Sequence, residues 1–351
     1  MNAMKYLTAE GLADWGAACL EKLGMPADDA RFASGSLVQT SLWGIDSHGI
    51  ARMPHYLGRI EAGSIEPVAM MTFEETGPCT GTLDGGHGLG LLVCRRATQE
   101  AISMARANGL GFIGVRESSH CGAIGLYGRM IAEAGMVGIV MTHSDSFVAP
   151  HHGYKKFLGT NPLCLSAPCA GGPPVCLDMA TSAAAWNAIM NARREKRPID
   201  ASLAYDESGA PTTDPEAVAC LRAMGGHKGY ALAFMIEVFC ASLNAAPWGP
   251  NITPMYGDYS ARRHLGSFVG AIDPGRFAGG GNFADSVAAL AACARSQQPI
   301  DPANPVLAPG DDQYACEKRR RTEGIPVEPG LALQIREWCA RLNVAEPAGL
   351  S

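Results

Sequence analysis

A glycine motif at residues 109–114 constrains the fold more than any other feature of the chain. Gly109-Leu110-Gly111-Phe112-Ile113-Gly114 satisfies the pattern G-x-G-x-x-G of dinucleotide-binding loops. Such a loop needs a strand before its glycines and a helix after them. Here an amphipathic, helix-like stretch runs through Ala97, Ile102 and Ala105 before the motif, and an apolar, strand-like run follows it. We therefore predict a turn from a helix into a strand at this place, and not a phosphate loop.

The rest of the chain has the pattern of an α/β protein. Short apolar or β-branched runs bounded by glycine or proline predict strands, and stretches with helical periodicity alternate with them. The predicted strands are 80–84, 111–116, 136–142, 175–177 and 266–272. The predicted helices start near Thr8, Pro26 and His48 and continue with 97–109, 124–134, 228–243 and 283–295, and residues 297–311 are predicted to be a linker.

Length and charge exclude several classes of protein. With 351 residues, of which 47% are hydrophobic, the chain can bury a large core and is expected to form two or three domains. Its net charge of −6 and the lack of a long basic run argue against nucleic acid as a partner. The short cluster Arg319, Arg320 and Arg321 is predicted to be a solvated helix face. No apolar run approaches the roughly 18 residues that a membrane span requires.

Cysteine usage points to a reducing compartment. Twelve cysteines are spread through apolar surroundings, and no C-x-x-C pair occurs. We expect them to be reduced core residues, which favours the cytoplasm, where thiols stay free. Residues 1–10 lack the basic and apolar regions of a targeting segment.

Two histidines stand beside small and hydroxyl-bearing residues, in Asp46-Ser47-His48-Gly49 and in Ser118-Ser119-His120-Cys121-Gly122. A histidine with room around it can move a proton near neutral pH. Arg52 and Tyr56 follow His48 at i+4 and i+8, so the three share one face if this stretch is helical. They suit a small 2-oxo or 2-hydroxy acid, because the planar fork of arginine matches a carboxylate. A surface-facing helix with a capped N-terminus is the alternative.

Three segments have features that suit a nucleotide. Gly225-Gly226-His227-Lys228-Gly229 leads into an apolar helix, whose free N–H groups and positive end attract phosphate. An ordinary glycine-rich turn is equally compatible with that segment. Gly159-Thr160-Asn161-Pro162 and Asp178-Met179-Ala180-Thr181-Ser182 carry short polar side chains beside strands, suited to a ribose or a carboxamide. The glycine-rich run 85–90, with its unusual central histidine, is more typical of a turn than of a binding loop.

Two other functions are open at this stage. Nine histidines and many carboxylates raise the alternative of a metal-dependent hydrolase or lyase. Zinc sites usually show short ligand spacings such as H-E-x-x-H, and none occurs, since His151 and His152 are adjacent. No metal site is therefore predicted. A binding protein without catalytic activity is the second alternative, and the presence of His48, His120 and Lys228 argues against it.

Seven short motifs occur in order along nearly the whole chain. They are Gly44-Ile45-Asp46-Ser47-His48-Gly49, Ser118-Ser119-His120-Cys121-Gly122-Ala123, Leu158-Gly159-Thr160-Asn161-Pro162, Asp178-Met179-Ala180-Thr181-Ser182, Thr213-Asp214-Pro215, Gly226-His227-Lys228-Gly229-Tyr230 and Ile325-Pro326. Together they resemble the malate and L-lactate dehydrogenase type 2 family. That family also contains ureidoglycolate, sulfolactate and diketogulonate oxidoreductases and the Δ1-piperideine-2-carboxylate and Δ1-pyrroline-2-carboxylate reductases.

The resemblance implies an α/β fold with discontinuous domains and a nucleotide-binding domain that is not of the Rossmann type. It implies a helical domain of residues 1–63 and 300–351, a central α/β substrate and dimer domain of residues 64–128 and 253–299, and an NAD(P)-binding domain of residues 129–252. Members are typically homodimers that use NAD or NADP. A small carboxylate substrate, one of these cofactors and a second copy of the chain are therefore the expected partners.

The resemblance also assigns residues to the site. His48, His120, Ser47 and Asp46 are the expected catalytic residues, and Arg52, Tyr56, Thr160 and Asn161 are expected to bind substrate. The expected cofactor-binding residues are Ser144, Asp178, Met179, Ala180, Thr181, His227, Lys228, Gly310 and Asp311. Relatives often carry Ala-Pro-Trp-Gly-Gly where this chain has Ala149-Pro150-His151-His152-Gly153, which leaves the identity of the substrate open.

The expected reaction is hydride transfer between a nicotinamide and the carbon next to the carboxylate of a 2-hydroxy or 2-oxo acid of the malate or lactate kind. The alternative is an NADPH-dependent reductase of a cyclic imine acid. His48 is the expected general acid, oriented by Ser47 or Asp46, and His120 hydrogen-bonds the reacting group or takes over the proton role. The sequence does not decide between NAD and NADP.

Overall fold

The computed structural model describes residues 4–350, and the elements below are numbered in chain order within that range. The strands are β1 (Lys5–Leu7), β2 (Thr72–Gly77), β3 (Thr80–Asp84), β4 (Leu110–Ser118), β5 (Val137–Thr142), β6 (Leu163–Ala167), β7 (Val175–Met179), β8 (Ala204–Tyr205), β9 (Cys220–Leu221), β10 (Leu265–Ile272) and β11 (Ile325–Val327). The helices are α1 (Ala9–Lys22), α2 (Ala27–Leu42), α3 (Met53–Glu61), α4 (Gly90–Asn108), α5 (Gly125–Glu133), α6 (Trp186–Glu195), α7 (His227–Cys240), α8 (Phe283–Arg295), α9 (Asp311–Glu323) and α10 (Pro329–Leu342).

The turn predicted at the glycine motif is confirmed. Helix α4 ends at Asn108, and the cap residue Gly109 has a φ of 89°, in the left-handed region that glycine adopts without strain. The N–H of Gly109 donates to the carbonyl of Ala105 at 2.8 Å, and β4 begins at the next residue. A helix therefore precedes the glycines and a strand follows them, which is the reverse of a phosphate loop. The α/β class is confirmed as well.

A mixed seven-stranded sheet, in the order β2-β3-β4-β10-β5-β6-β7, forms the centre of the molecule. Strand β10 runs antiparallel between β4 and β5, with Leu265 opposite Ser118 and Ser267 opposite Thr142. Consequently, the residues that follow Ser118 and Thr142 lie beside those that precede Leu265. They meet where β4 and β5 end and β10 begins, here called the edge of the sheet. That edge carries the site described below.

Alternation along the strands divides the core between the two faces of the sheet. On β10, Val269 and Ala271 join the large core that α4, α5 and the N-terminal helices complete. Phe268, which directly precedes Val269, points to the other face and packs with Ile236 and Cys240 of α7. The sheet is therefore covered by helices on both faces.

The two ends of the described chain lie together. Strand β1 pairs with β11 in antiparallel register, with Tyr6 opposite Pro326. Helix α1 contacts α10, and α2 contacts α9. The central sheet takes strands from all of the segments assigned to the substrate domain and to the nucleotide domain, so the division into three domains stays a prediction.

Two sequence-based expectations differ from the structure in detail. The apolar helix α7 ends at Cys240, three residues before the predicted end, and a 3₁₀ turn, Ser242–Asn244, follows Ala241. The linker predicted to extend to residue 311 ends where α9 begins.

The twelve cysteines are free thiols, most of them buried. Within residues 4–350, no helix combines the length and the apolarity needed to cross a bilayer.

Candidate active site

His48 lies on a pair of short turns and not on the helix that its neighbours' spacing predicts. Asp46–His48 and Ile50–Arg52 form two 3₁₀ turns, and α3 begins only at Met53. Gly49 joins the turns where the chain passes Ser41 of α2, and a Cβ there would come within 2.1 Å of the Ser41 hydroxyl. The same hydroxyl accepts the Ile50 N–H at 2.9 Å. Glycine at this place therefore lets the histidine turn pack directly on α2.

His120 follows β4 at the sheet edge and is held there by the start of α4. The N–H of Gly90 donates to Ser119 Oγ at 2.8 Å, and Ser119 Oγ donates to the Gly88 carbonyl at 3.0 Å. A Cβ on Gly90 would lie 2.2 Å from the carbonyl oxygen of Ser119 and 2.6 Å from the backbone of His120. The close approach that fixes the His120 backbone therefore requires glycine at position 90.

The fold brings the two histidines and two of their predicted partners together. The rings of His48 and His120 have centroids 5.4 Å apart and are tilted by 33°. Ser47 Oγ lies 2.8 Å from Nδ1 of His48, and the Tyr56 hydroxyl lies 2.6 Å from Nδ1 of His120. Both imidazoles line one cavity, together with Ser47 and Arg52.

The hydrogen bonds of His120 define which nitrogen carries its proton. The backbone N–H of Gly122 lies 3.3 Å from Nδ1 and can only donate, so Nδ1 is the accepting nitrogen. The Tyr56 hydroxyl then donates to the same atom. In the neutral ring the proton consequently resides on Nε2, the nitrogen available to a ligand in the cavity.

Burial keeps both imidazoles uncharged at neutral pH. Burial, followed by the charge of Arg52, lowers the pKa of His48 from 6.5 to about 4. Burial also lowers the pKa of His120 well below its usual value, with His48 and Arg52 adding to the effect. Burial raises the pKa of the Tyr56 phenol, which stays protonated. His48 can therefore accept a proton at neutral pH, whereas Nε2 of His120 already carries one, and a nearby anion would raise the pKa of both rings.

Arg52 presents a guanidinium to the cavity without a carboxylate partner among residues 4–350. Its Nε donates to the Ser47 carbonyl at 2.5 Å, and one terminal nitrogen donates to the Tyr256 hydroxyl at 2.7 Å. These two bonds orient the fork and leave its positive charge uncompensated. A bound carboxylate would complete it.

Asp46 does not orient His48 directly, in contrast to one of the two predicted arrangements. Its carboxylate forms a bidentate ion pair with Arg320 of α9, at 2.5 and 2.9 Å. Arg320 also donates to the Ser41 carbonyl, and only 13% of its side chain is exposed, so the prediction of a solvated face is wrong for this residue. The pair ties the histidine turn to α9. Ser47 is the residue that contacts the imidazole.

Besides Arg52, five of the predicted cofactor- or substrate-binding residues line the same cavity, whose volume is about 290 Å³. They are Ser144, which follows β5, Thr160, and Asp178, Met179 and Ala180 at the end of β7. The carboxylate of Asp178 accepts the Gly125 N–H at the start of α5 at 2.8 Å, and burial raises its pKa. The same edge of the sheet thus carries His120 and these five residues, which form one wall of the cavity.

Asn161 and Thr181 lie behind that wall and not in it. The amide of Asn161 is fully buried and donates to Glu237 at 2.6 Å and to the Ala233 carbonyl at 3.0 Å, both in α7. The Thr181 hydroxyl donates to the carbonyls of Thr160 and Asn161 at 3.0 Å. Their hydrogen bonds are consumed within the protein, so these residues shape the wall and do not reach a ligand.

The remaining predicted cofactor residues lie outside the cavity. His227 and Lys228 are exposed at the N-terminus of α7, next to the wall, because the Met224 N–H donates to the Thr181 carbonyl at 2.9 Å. Gly310 directly precedes α9, and Asp311 is held by Arg295 through two bonds of 2.7 and 2.8 Å. From this segment it is Gln313 that reaches the cavity.

A loop that the sequence patterns did not mark closes the cavity near Arg52. Met255 and Tyr256 line it, and buried Arg59 of α3 holds the loop by donating to the carbonyls of Met255 and Ala261 at 2.8 and 3.1 Å. Asp145, also on the lining, forms a buried ion pair with Arg263. Trp186, at the start of α6, lines the cavity as well. The i, i+4 spacing of His55 and Arg59 on α3 is the one local signal in the sequence, and it does not indicate that Arg59 binds this loop.

A family model described as malate/L-lactate dehydrogenase matches residues 7–336. The chain belongs to the malate/L-lactate dehydrogenase family, as its seven motifs predict. It is 35% identical over 307 residues to the ureidoglycolate dehydrogenase (NAD(+)) of Escherichia coli O157:H7, and the match covers 87% of each chain.

Two solved structures show the same fold. The sulfolactate dehydrogenase of Methanocaldococcus jannaschii aligns with a TM-score of 0.92 and 30% identity over 99% of this chain and 100% of that one. The Δ1-piperideine-2-carboxylate reductase of Pseudomonas syringae pv. tomato aligns with a TM-score of 0.84 and 27% identity over 95% and 99% of the two chains.

Proposed function

We propose that the protein is a nicotinamide-dependent oxidoreductase that moves hydride to or from the carbon next to the carboxylate of a small 2-oxo or 2-hydroxy acid. One observation carries the proposal: the uncompensated guanidinium of Arg52 lines the same cavity as the uncharged imidazoles of His48 and His120. An anionic substrate supplies the missing partner of Arg52. The relatives compared above, named for ureidoglycolate, sulfolactate and piperideine-2-carboxylate, support this class of substrate.

The cavity wall formed by the segment after β5, the end of β7 and residues 160–162 suits a nicotinamide. Pro162, Met179 and Ala180 give it an apolar surface, and Ser144, Thr160 and Asp178 add hydrogen-bonding groups. A flat ring with one carboxamide requires this combination. When bound, the nicotinamide supplies or accepts the hydride. Lys228 and the free N–H groups at the start of α7 suit the phosphates of either NAD or NADP.

The chain's own groups bind the acid and exchange the proton. Arg52 holds the carboxylate, so that the reacting carbon lies beside the imidazole pair. His120, with Nε2 directed by the bonds to its Nδ1, and His48, held by Ser47, share the proton transfer. Because the charge of Arg52 lowers the pKa of both rings, its neutralisation by substrate raises these pKa values. Substrate binding thereby prepares the pair to donate a proton during reduction.

A reductase of a cyclic imine acid is the second candidate. The likeness to the Δ1-piperideine-2-carboxylate reductase structure favours it. Phe147, Trp186 and Met255 also line the cavity and suit the apolar ring of such a substrate. The same Arg52 would hold its carboxylate, and the same pair would deliver a proton to nitrogen.

A substrate screen tests the proposal. Oxidation of NADH and of NADPH would be followed with pyruvate, oxaloacetate and Δ1-piperideine-2-carboxylate, and methyl pyruvate would serve as the matched compound without a charge. We expect turnover of at least one acid and a kcat/KM for pyruvate about 10- to 100-fold above that of its ester, since a hydrogen-bonded charge pair is worth ~1.5–3 kcal/mol. Equal rates with acid and ester, or no turnover of any acid with either nucleotide, would refute it.

The homodimer and the cytoplasmic location stay predictions. Light scattering on protein eluted from a size-exclusion column measures the oligomeric state, and fractionation of the source cells measures the location.

A further inference from the structure

Three residues from separate parts of the chain bring ligand atoms together outside the cavity described above. They are His87 in the glycine-rich loop 85–90, Glu117 near the end of β4 and His264 just before β10. Oε2 of Glu117 lies 2.6 Å from Nδ1 of His264 and 3.3 Å from Nδ1 of His87, and the three ligand atoms lie within 4.8 Å of one another. We propose that this His87–Glu117–His264 cluster binds a divalent first-row transition metal ion, with zinc as the best fit.

The donor set suits that ion. Zinc takes imidazole nitrogen and carboxylate oxygen at about 2.0 Å, in tetrahedral geometry, which separates neighbouring ligand atoms by roughly 3.3 Å. The separation of His87 from Glu117 already has this value. The pair His264–Glu117 has to widen by about 0.7 Å to admit the ion at these bond lengths. The two rings are perpendicular, with centroids 5.0 Å apart, so each can direct Nδ1 to a common point.

Rigid backbone holds the three ligands in place. Glu117 and His264 lie side by side because β4 and β10 pair at Ser118 and Leu265. The His87 N–H donates to the Glu117 carbonyl at 2.8 Å, which fixes the loop on the strand. All three residues have a left-handed φ, of 57°, 51° and 51°, a conformation uncommon outside glycine that concentrates at ligand clamps.

The charged residues around the cluster are mostly paired with one another. Arg262 pairs with Glu66 at 2.6 Å, and Arg116 pairs with Asp84 at 3.3 Å. With Glu117, three carboxylates stand against two guanidinium groups. The ligand side chains are 19%, 32% and 43% exposed, so an ion can enter from solvent and water can complete its coordination.

The ion would brace the active site and take no part in the reaction. Glu117 stands three residues before His120, and His264 follows Arg263, which holds Asp145 of the cavity lining. A metal ion bound by the loop, β4 and the segment before β10 would fix these elements against one another. We therefore expect a gain in thermal stability on metal binding.

Zinc titration of the full-length protein tests the proposal without any activity assay. The protein would be stripped with a chelator, freed of it, and titrated calorimetrically with Zn²⁺ alone, with bound metal counted by elemental analysis. His87→Asn and His264→Asn remove the imidazole and keep a residue type that tolerates a left-handed backbone. His152→Asn is the matched control, since His152 also has a left-handed φ, of 64°, and lies outside the cluster.

We expect one Zn²⁺ per chain at this site, a rise in Tm on binding, and affinity lowered by more than about 100-fold in either cluster variant, beyond the effect of losing a supporting hydrogen bond. The His152→Asn protein should bind as the wild type does. Co²⁺ absorption would report nitrogen and oxygen ligands, in contrast to thiolates of the free cysteines. Far-UV circular dichroism verifies that each variant is folded. Undiminished binding in the double variant H87N/H264N, or no stoichiometric binding by wild-type protein, would overturn the proposal.

Discussion

The Tyr56 hydroxyl and Nδ1 of His120 lie 2.6 Å apart, although 64 positions separate the two residues in the chain. Tyr56 is almost completely buried on α3, and its phenol stays protonated. The contact joins the histidine that follows β4 to the helix that follows the other histidine. It therefore couples the two halves of the proposed proton-transfer pair.

Replacing Tyr56 with Phe should lower kcat/KM by about 5-fold. The change removes the hydrogen bond to His120 and keeps the buried ring, and a bond of this kind contributes ~1 kcal/mol. Steady-state rates of nicotinamide oxidation measure the effect, and Tm should stay close to the wild-type value. Unchanged kinetics would mean that the hydroxyl does not orient the imidazole.

Replacing Arg52 with Ala should raise KM for the acid by about 10- to 100-fold, because a charged hydrogen bond to the substrate is lost. Arg52→Lys keeps the charge but not the planar fork, so its KM should fall between the two. Arg319→Ala, which removes an exposed arginine that does not line the cavity, is the control. A KM in Arg52→Ala equal to that of the control would contradict the role of Arg52.

Breaking the Asp46–Arg320 pair should reduce kcat several-fold, because this pair positions the turn that carries Ser47 and His48. Arg320→Ala should also lower Tm by about 1–2 °C, the effect of ~1 kcal/mol at an unfolding entropy of ~2.1 cal/mol/K per residue for a chain of 351 residues. Arg321→Ala breaks a neighbouring pair on α9, with Glu317, that does not reach the turn. If both variants lost the same activity at a temperature well below Tm, the loss would not come from the Asp46–Arg320 pair, and its positioning role would be contradicted.

Oxidation of a 2-hydroxy acid should keep its full rate well below the usual pKa of histidine. The proton acceptor must be uncharged, and the pKa of His48 is lowered to about 4. We expect kcat/KM to be constant from neutral pH to about pH 5 and to fall below that. A midpoint near 6.5 in the pH profile would contradict the buried, uncharged pair.

The same pKa shift makes stability depend on pH. His48 and His55 have folded pKa values of about 4 and about 3, below the ordinary 6.5, so below pH 6.5 the unfolded chain binds more protons than the folded one. Their contribution is complete above pH 6.5 and is lost as the pH falls toward 4. Calorimetric Tm values should therefore be level above neutrality and decline in that window.

Local patterns predicted the parts of the site that sit on short segments next to strands. His120 follows β4 and Asp178 lies near the end of β7, and strand ends can be located from glycine-bounded apolar runs. The Rossmann-type alternative was excluded for the same reason, since the order of helix and strand around Gly109 is visible in the sequence. Periodicity could not predict that His48 and His120 face the same site, because the residues before Met53 form 3₁₀ turns. The family resemblance of the motifs implied it. Ser144, which follows β5, was likewise implied by the family resemblance.

Long-range partners were out of reach of any local pattern. Asn161 has the short polar side chain that suits a ribose, but Glu237, 76 positions later, takes its amide. Arg320 is one of three consecutive arginines, and only its ion pair with Asp46 distinguishes it from a solvated residue. The His87–Glu117–His264 cluster has no ligand spacing to recognise, since its members are 30 and 147 positions apart.

Replacement of His48 and of His120 by Asn, one at a time, tests the central claim most directly. The measurement is kcat/KM for reduction of the best acid found in the screen, with nicotinamide binding and Tm measured on the same samples. We predict intact folding and nucleotide binding and a loss of about 10²- to 10⁴-fold in kcat/KM, the range of general acid–base catalysis. Near-wild-type kcat/KM in both variants would contradict the account.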